Sequence, residues 1–319
     1  MNRYPVVVHF ESSSNSDYGC HPSNRPISTL LSSGVICLNK PAGPTSHQVA
    51  DYVKSILHLS RCGHGGTLDP GVSGVLPLAI GSSTRILQTL LLSQKEYVGV
   101  MRLHKPVPLP LLHSTFSSFT GRISQLPPVR SAVKRQLRQR TIYSFGILEM
   151  SEKYVLFSVS CQAGTYVRKL IHDVGKRLGV GAHMQELVRT RAGPFLDRQW
   201  VNLHDLADAY AFHKEGDSSF LSRIILPLEF AVSHLRSVWV LDSAVDTLCH
   251  GASLAVPGIS KLHAGIQHGE VVAIFTLKDE LVCLGEALLS SEEMLSSSRR
   301  LAVRTTKVFL ARGTYPKIT

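Results

Sequence analysis

The 319-residue sequence is short of acid: 23 Asp and Glu stand against 34 Lys and Arg, leaving a net charge of +11. That deficit disfavours an enzyme with an acidic metabolic surface and makes a polyanion the default partner. No apolar run approaches the roughly 18 residues that span a bilayer, and the N-terminus lacks the apolar core of a signal peptide. These absences predict a soluble, cytoplasmic protein with no membrane partner. The six cysteines, Cys20, Cys37, Cys62, Cys161, Cys249 and Cys283, contain no Cys-x-x-Cys pair. They form no disulfide framework, and a reducing interior is the natural setting. No His-x-x-x-His or His-x-x-Glu-His pattern occurs among the fifteen histidines, so no metal is expected. Neither Gly-x-Ser-x-Gly nor a phosphate loop of the Gly-x-x-x-x-Gly-Lys type is present, which disfavours a serine hydrolase and gives no sign of ATP.

What is present is a folded chain. A 44% hydrophobic content and 18% charged residues support a real core, and the length fits about two domains at roughly 150 residues each. Residues 1–235 hold 25 basic and 15 acidic side chains against 9 and 8 in the remainder, so +10 of the +11 lies in the first part. Residues 122–140 carry Arg122, Arg130, Lys134, Arg135, Arg138 and Arg140 with no acid at all. Like charges so crowded repel unless phosphates neutralise them, and the Ser, Gln and Pro residues between them read as a loop that tracks a nucleic-acid backbone. A solvated basic face is the plainer alternative.

The organisation is α+β, a mixed sheet with packed helices. Residues 1–33 are rich in Ser, Asn and Pro and read as an arm laid over a core. A first domain over 34–235 begins with a strand at Gly34–Leu38 and a helix capped by Thr45 or Ser46, with Val49, Val53, Ile56 and Leu57 on its apolar face. A strand at Val75–Ile80 and a helix capped near Ser83 follow. Strands are expected at Glu96–His104, Ile142–Glu149 and Tyr154–Cys161, then a helix opened by Gly164-Thr165 and closed by Gly179. Residues 236–319 form a small, mostly β domain: a strand at Val238–Leu241, a short helix with a Ser243…Asp246 capping box, a hairpin over Val271–Leu277 and Leu281–Gly285, and a strand at Val303–Leu310.

The first two elements of the first domain are followed by a glycine-rich loop. In Arg61-Cys62-Gly63-His64-Gly65-Gly66-Thr67-Leu68-Asp69-Pro70-Gly71 the glycines let a backbone approach a bulky ligand, and Pro70 pushes Asp69 out of helical conformation. An ordinary Asp-Pro-Gly turn acid is the competing reading. A single carboxylate without a second nearby acid argues against two-carboxylate glycosidase chemistry.

The run from Arg61 through Asp69 to Pro77 resembles the catalytic motif of the dyskerin and TruB family of RNA pseudouridine synthases. Asn39-Lys40-Pro41-Ala-Gly-Pro44-Thr-Ser46-His47 is similar to that family's lysine-proline motif, Lys95-Glu96-Tyr97 to its tyrosine motif, and Ala163-Gly164-Thr165-Tyr166-Val-Arg168 to its arginine motif. Gly181 to Phe195, which includes Arg189 and Arg191, matches a further segment, and His250-Gly251 to Gly258 resembles a PUA RNA-binding module. Asp17-Tyr18-Gly19-Cys20-His21-Pro22 and Arg25-Pro26-Ile27 precede the lysine-proline motif, which points to the archaeal, guide-RNA-dependent branch.

The resemblance implies a pseudouridine synthase catalytic domain over 34–235, a PUA domain over 236–319, and isomerisation of uridine without a cofactor. Asp69 would be the nucleophile, with Arg168 paired to it and keeping it ionised and oriented. Tyr97 would stack on the flipped uracil near the proton to be lost. Lys40 would support the loop or contact phosphate. His64, at the loop tip, would fill the space vacated by the flipped base. Arg130, Lys134, Arg135, Arg138 and Arg140, with Arg189 and Arg191, would hold RNA phosphates, while His250 and Gly251 contact RNA from the PUA domain. Implied partners are guide RNA, rRNA, tRNA and small proteins of a box H/ACA particle. The function implied is isomerisation in rRNA, with the T-loop uridine of tRNA as a further substrate; a stand-alone TruB-like tRNA enzyme and a non-catalytic RNA-binding scaffold are the alternatives. Pro106, Pro108 and Pro110 stand where the family has a polar helix, and they count against that helix.

Overall fold

The computed structural model describes residues 4–127 and 136–317. In chain order its elements are β1 (Val6–Val8), α1 (Ile27–Ser32), β2 (Gly34–Lys40), α2 (Ser46–Ile56), β3 (Cys62–His64), β4 (Ser73–Ile80), α3 (Leu87–Leu92), β5 (Lys95–Leu103), α4 (Leu109–Ser118), β6 (Gly121–Gln125), β7 (Arg138–Ser151), β8 (Tyr154–Cys161), α5 (Val167–Arg177), β9 (Ala182–Ala192) and α6 (Leu203–Lys214), followed by a strand-rich C-terminal part. Two compact units result: residues 35–225, and a second unit built from both chain ends, 1–34 with 226–319.

In the first unit the strands run β2-β4-β9-β5-β8-β7-β6. Only β4 and β9 are parallel; the other neighbours are antiparallel. β4 changes neighbour along its length, pairing Leu78–Ile80 with β3 and Ser73–Gly74 with β9. The chain between β3 and β4 is the glycine-rich loop, so it emerges where β4 exchanges one partner for the other. Gly74 makes the β4–β9 approach possible: it has φ +107°, and a Cβ there would lie 2.3 Å from the carbonyl oxygen of Arg189. The core beneath the loop joins Leu68 and Val72 of the loop to Met101, Phe157, Val167, Leu170, Ile171 and Leu187, among others.

The prolines of 105–119 start a helix instead of preventing one. Pro108 is the N-cap of α4 and Pro110 lies in its first turn, where a missing N–H would have had no partner in any case. Phe116 of this helix stacks on Phe145 of β7 at 3.9 Å between ring centres. The basic stretch is also more regular than a loop. Arg122 lies in β6 and Arg138 and Arg140 in β7, paired as an antiparallel hairpin, while Arg130, Lys134 and Arg135 fall outside the described residues. The expected helix near Ser83 begins with a tight turn over Gly81–Ile86 before α3.

The second unit is a sheet in which β1, Ile259–His263, Ser237–Val240, Val271–Phe275, Leu281–Ala287, Leu301–Val308 and Leu254–Ala255 lie in that order. The N-terminal arm supplies its edge strand: β1 pairs with Ile259–His263. The arm is also fastened by polar contacts. Arg25 donates to both oxygens of Glu229 at 2.9 and 2.8 Å, and the Cys20 N–H donates to Glu280 at 3.1 Å. One helix of this unit spans Asp242–Cys249 with Leu241 at its N-cap, two residues earlier than the Ser243…Asp246 pattern suggests. No helix among the described residues is long and apolar enough to cross a membrane.

Candidate active site

Asp69 sits on an exposed crest between two buried anchors, Leu68 and Val72. Its own carbonyl accepts from Val72 N at 3.0 Å, closing a turn. Arg168, in the first turn of α5, donates from Nη2 to Asp69 Oδ2. The helix carrying it is seated by Val167, Leu170, Ile171 and Val174, all buried. Gln125 grips the residue where the helix begins, donating to Tyr166 O at 3.2 Å and accepting from Tyr166 N at 3.0 Å. The Asp69 and Arg168 side chains remain 55% and 58% exposed, so the pair is open to a ligand.

Below the crest, four residues from three other parts of the chain fix its backbone. Ser46, 1% exposed, accepts from Leu68 N at 2.8 Å and donates to Leu68 O at 3.1 Å. Its neighbour Thr45 is the cap of α2, forming a capping box with Gln48 that leaves the Ser46 hydroxyl free for this task. The buried Lys40 donates from Nζ to Pro41 O at 2.7 Å and to Pro70 O at 3.2 Å, and Gly43 N adds a bond to Pro70 O at 2.8 Å. Burial, reinforced by the charge of Arg189, lowers the Lys40 pKa.

Arg189 is the other support. It is 1% exposed, and donates to Val75 O at 2.7 Å and to Gly66 O at 3.1 Å. This placement overturns the expectation that Arg189 holds RNA phosphate, because a guanidinium sealed beneath the loop cannot reach one. Arg191 is likewise spent: it donates to Glu96 at 3.0 Å and to Gly193 O at 2.9 Å. Lys95 is buried and donates to the carbonyls of Leu90, Leu91 and Ser93 at 2.6 to 2.9 Å, capping the C-terminal end of α3. Burial and then Arg189 pull its pKa down to about 7.

Tyr97 lies on β5 as the register partner of Arg189 on β9. It is half-buried, and burial pushes its phenol upward while the Arg189 charge works the other way. His64 is not a loop tip. It ends β3, paired with Leu78, with its ring 6.3 Å from that of His47. Its Nδ1 is buried with no partner among the described residues, and burial lowers its pKa. The Nε atoms of Arg138 and Arg140 are also buried without a described partner, and the Arg140 guanidinium packs against Gly164, four residues before Arg168. In the second unit, His250 ends the helix with its Nδ1 2.8 Å from Asp246 O, and Gly251, at φ +90°, turns the chain away.

Ser46 and the supporting role of Arg189 were missed in the sequence. The Thr45-x-x-Gln48 capping box was the available signal for Ser46, since it assigns the cap to Thr45. For Arg189 the signal was weaker: β9 has no clean alternation, and its position inside a core was not legible.

An exposed carboxylate paired to an arginine, flanked by a tyrosine and held on a rigid crest, suits nucleophilic attack on a group brought from outside. Residues 54–108 and 105–167 match the TruB family pseudouridylate synthase N-terminal domain, and residues 168–233 the tRNA pseudouridylate synthase B C-terminal domain. Residues 236–309 match the PUA domain, and residues 1–50 the DKCLD domain. The chain is 53% identical to a "Probable tRNA pseudouridine synthase B" of Pyrococcus furiosus, over 100% of this chain and 94% of that one. A protein of the same description from Methanothermobacter thermautotrophicus is 53% identical over 97% and 95% of the two chains. Among solved structures, one of a Cbf5-Nop10-Gar1 complex matches with a TM-score of 0.95 at 52% identity, over 99% of this chain and 97% of that chain. One of an H/ACA RNP bound to a substrate RNA containing 2′-deoxyuridine matches with a TM-score of 0.93 at 50% identity and the same coverage. The chain therefore belongs to the TruB family of pseudouridine synthases, with a catalytic domain followed by a PUA domain, and is an enzyme that converts uridine to pseudouridine.

Proposed function

We propose that this enzyme isomerises uridine in rRNA as the catalytic subunit of a box H/ACA ribonucleoprotein, with the T-loop uridine of tRNA as a second substrate. The observation that carries the reading is the likeness, over 99% of the chain, to proteins solved within Cbf5-Nop10-Gar1 and H/ACA RNP assemblies. Guide RNA and small proteins are its partners. Asp69 is the nucleophile, Arg168 orients it, and Tyr97 meets the flipped uracil near the proton to be lost. Lys40 supports the loop, and His64 lines its base.

Phosphate contacts fall to Arg138 and Arg140, together with Arg130, Lys134 and Arg135. The PUA domain, through His250 and Gly251, takes the guide RNA. A second reading, a stand-alone tRNA enzyme, is favoured by the description of the curated relatives as tRNA pseudouridine synthase B. The intact Asp69–Arg168 pair speaks against a non-catalytic scaffold.

Pseudouridine mapping separates the two readings. The full chain is incubated with a tRNA transcript and with an rRNA fragment, with and without a matching box H/ACA guide RNA and the small partner proteins. Modification of the rRNA only with guide is the expected result. Robust guide-free modification of tRNA, with the rRNA fragment untouched in every mixture, would leave the stand-alone reading.

A further inference from the structure

Arg189 is a buried cation without an anion. It is 1% exposed, and among the described residues no carboxylate oxygen lies within 4.0 Å of it. Its recorded acceptors are the carbonyls of Val75, Gly66 and Thr67. Carbonyl dipoles offset only part of the desolvation of a buried charge, so folding bears a cost that a neutral side chain would avoid. Two further buried amines, Lys40 and Lys95, are held below their ordinary pKa by burial first and then by the same positive field. A loop clamp alone does not need this charge.

The side chain that faces the charge is Tyr97. The two residues are direct register partners across β5 and β9, at a bulge that shifts the ladder between Glu96 and Tyr97. The other titratable groups acting on the phenol are Cys161 from β8 and Asp69 from the loop, and both oppose its ionisation. Cys161 is itself pushed up to about 11, so it is a neutral thiol at working pH. Arg189 is thus the cation, among the groups acting on the phenol, that favours a negative oxygen. Tyr97 can take a proton from the base carbon only when its oxygen has released, or is releasing, its own to water. In that step the C–H electron pair stays with the uracil ring, and negative charge develops on the phenol oxygen before the proton reaches it.

We propose that Arg189 is a positioning residue for Tyr97: it supplies the positive charge against which negative charge on the phenol oxygen develops, while the same guanidinium holds the Gly66–Thr67 stretch that leads to Asp69. The proposal rests on Tyr97 being the group that meets the departing proton. A single buried arginine thereby ties the proton acceptor to the loop of the nucleophile.

The test is a double-mutant cycle on single-turnover release of tritium from RNA carrying 5-tritiated uridine, using the full chain and whichever RNA the pseudouridine mapping identifies as substrate. Arg189→Gln is expected to slow the reaction by more than about tenfold with RNA affinity unchanged, and Arg189→Lys to recover most of that loss. In the Tyr97→Phe background, Arg189→Gln should cost less than about threefold, because the group it serves is gone. Equal losses in both backgrounds, or an Arg189→Lys as slow as Arg189→Gln, would reduce Arg189 to a loop clamp and overturn the proposal. Should Arg189→Gln not fold, the cycle is run with Arg189→Lys, where an equal residual loss with and without Tyr97 overturns it in the same way. If Tyr97→Phe alone leaves the rate intact, it is the assignment of Tyr97 that fails, which that control reports separately.

Discussion

Ser46 holds Leu68 by both of its backbone polar groups, accepting from the N–H at 2.8 Å and donating to the carbonyl at 3.1 Å. Leu68 immediately precedes Asp69, so a hydroxyl on α2 sets the take-off of the Asp69 carboxylate. Lys40 and Gly43 do the same for Pro70 on the other side. The carboxylate is exposed, yet the backbone on each side of it is clamped.

Ser46→Ala removes both bonds and leaves two buried backbone groups unpaired. The expected loss is about 2–4 kcal/mol of stability, read by urea denaturation. The rate of isomerisation should fall in the folded fraction as well, since Asp69 loses its fixed geometry.

Arg168→Met should behave in the opposite way. The Asp69–Arg168 pair is more than half exposed, so its removal costs no more than about 1 kcal/mol of stability. Single-turnover isomerisation should nonetheless fall by more than about 100-fold, since the arginine's worth is in orienting the carboxylate. Thermal melting and rate, measured on the same preparation, check both halves.

The pH dependence of stability has a contribution from Lys95. Its folded pKa of about 7 lies below the ordinary value near 10.4, so between these limits the unfolded chain binds a proton that the folded chain does not. Stability from this group therefore rises with pH across that window, by ~1.4 kcal/mol per pH unit, and is lost as pH falls toward 7. Lys95→Met should flatten the wild-type increase between pH 7 and pH 9, as determined by denaturant unfolding at the two values.

Salt titration of RNA binding distinguishes arginines that reach phosphate from those that do not. Arg138→Ala combined with Arg140→Ala should reduce the slope of log K against log salt by about two contacts' worth, ~1.4 to 1.8. Arg191→Met, whose guanidinium is engaged with Glu96 and Gly193, should leave the slope unchanged.

Much of this architecture was legible in the sequence because local signals were strong. The strand expected at Tyr154–Cys161 is β8 to the residue, and the helix expected between Gly164-Thr165 and Gly179 is α5. The Asp69–Arg168 pairing, 99 residues apart, came from motif resemblance and not from spacing. What stayed hidden depended on tertiary context. Pro108 and Pro110 look like helix breakers, but a first turn tolerates them. Arg189 looks like a phosphate ligand beside Arg191, and only the convergence of β4, β5 and β9 shows it to be sealed in. His64 reads as a loop residue until β3 is seen to add to β4, and the arm reads as irregular until β1 joins the second sheet.

The central claim is that Asp69 is the nucleophile of a uridine isomerase. It is tested most directly by comparing wild type with Asp69→Asn for pseudouridine formation and RNA binding on the same substrate. The account predicts no detectable pseudouridine from Asp69→Asn and an RNA affinity within about twofold of wild type. Pseudouridine formed by Asp69→Asn at a rate comparable to wild type would contradict it.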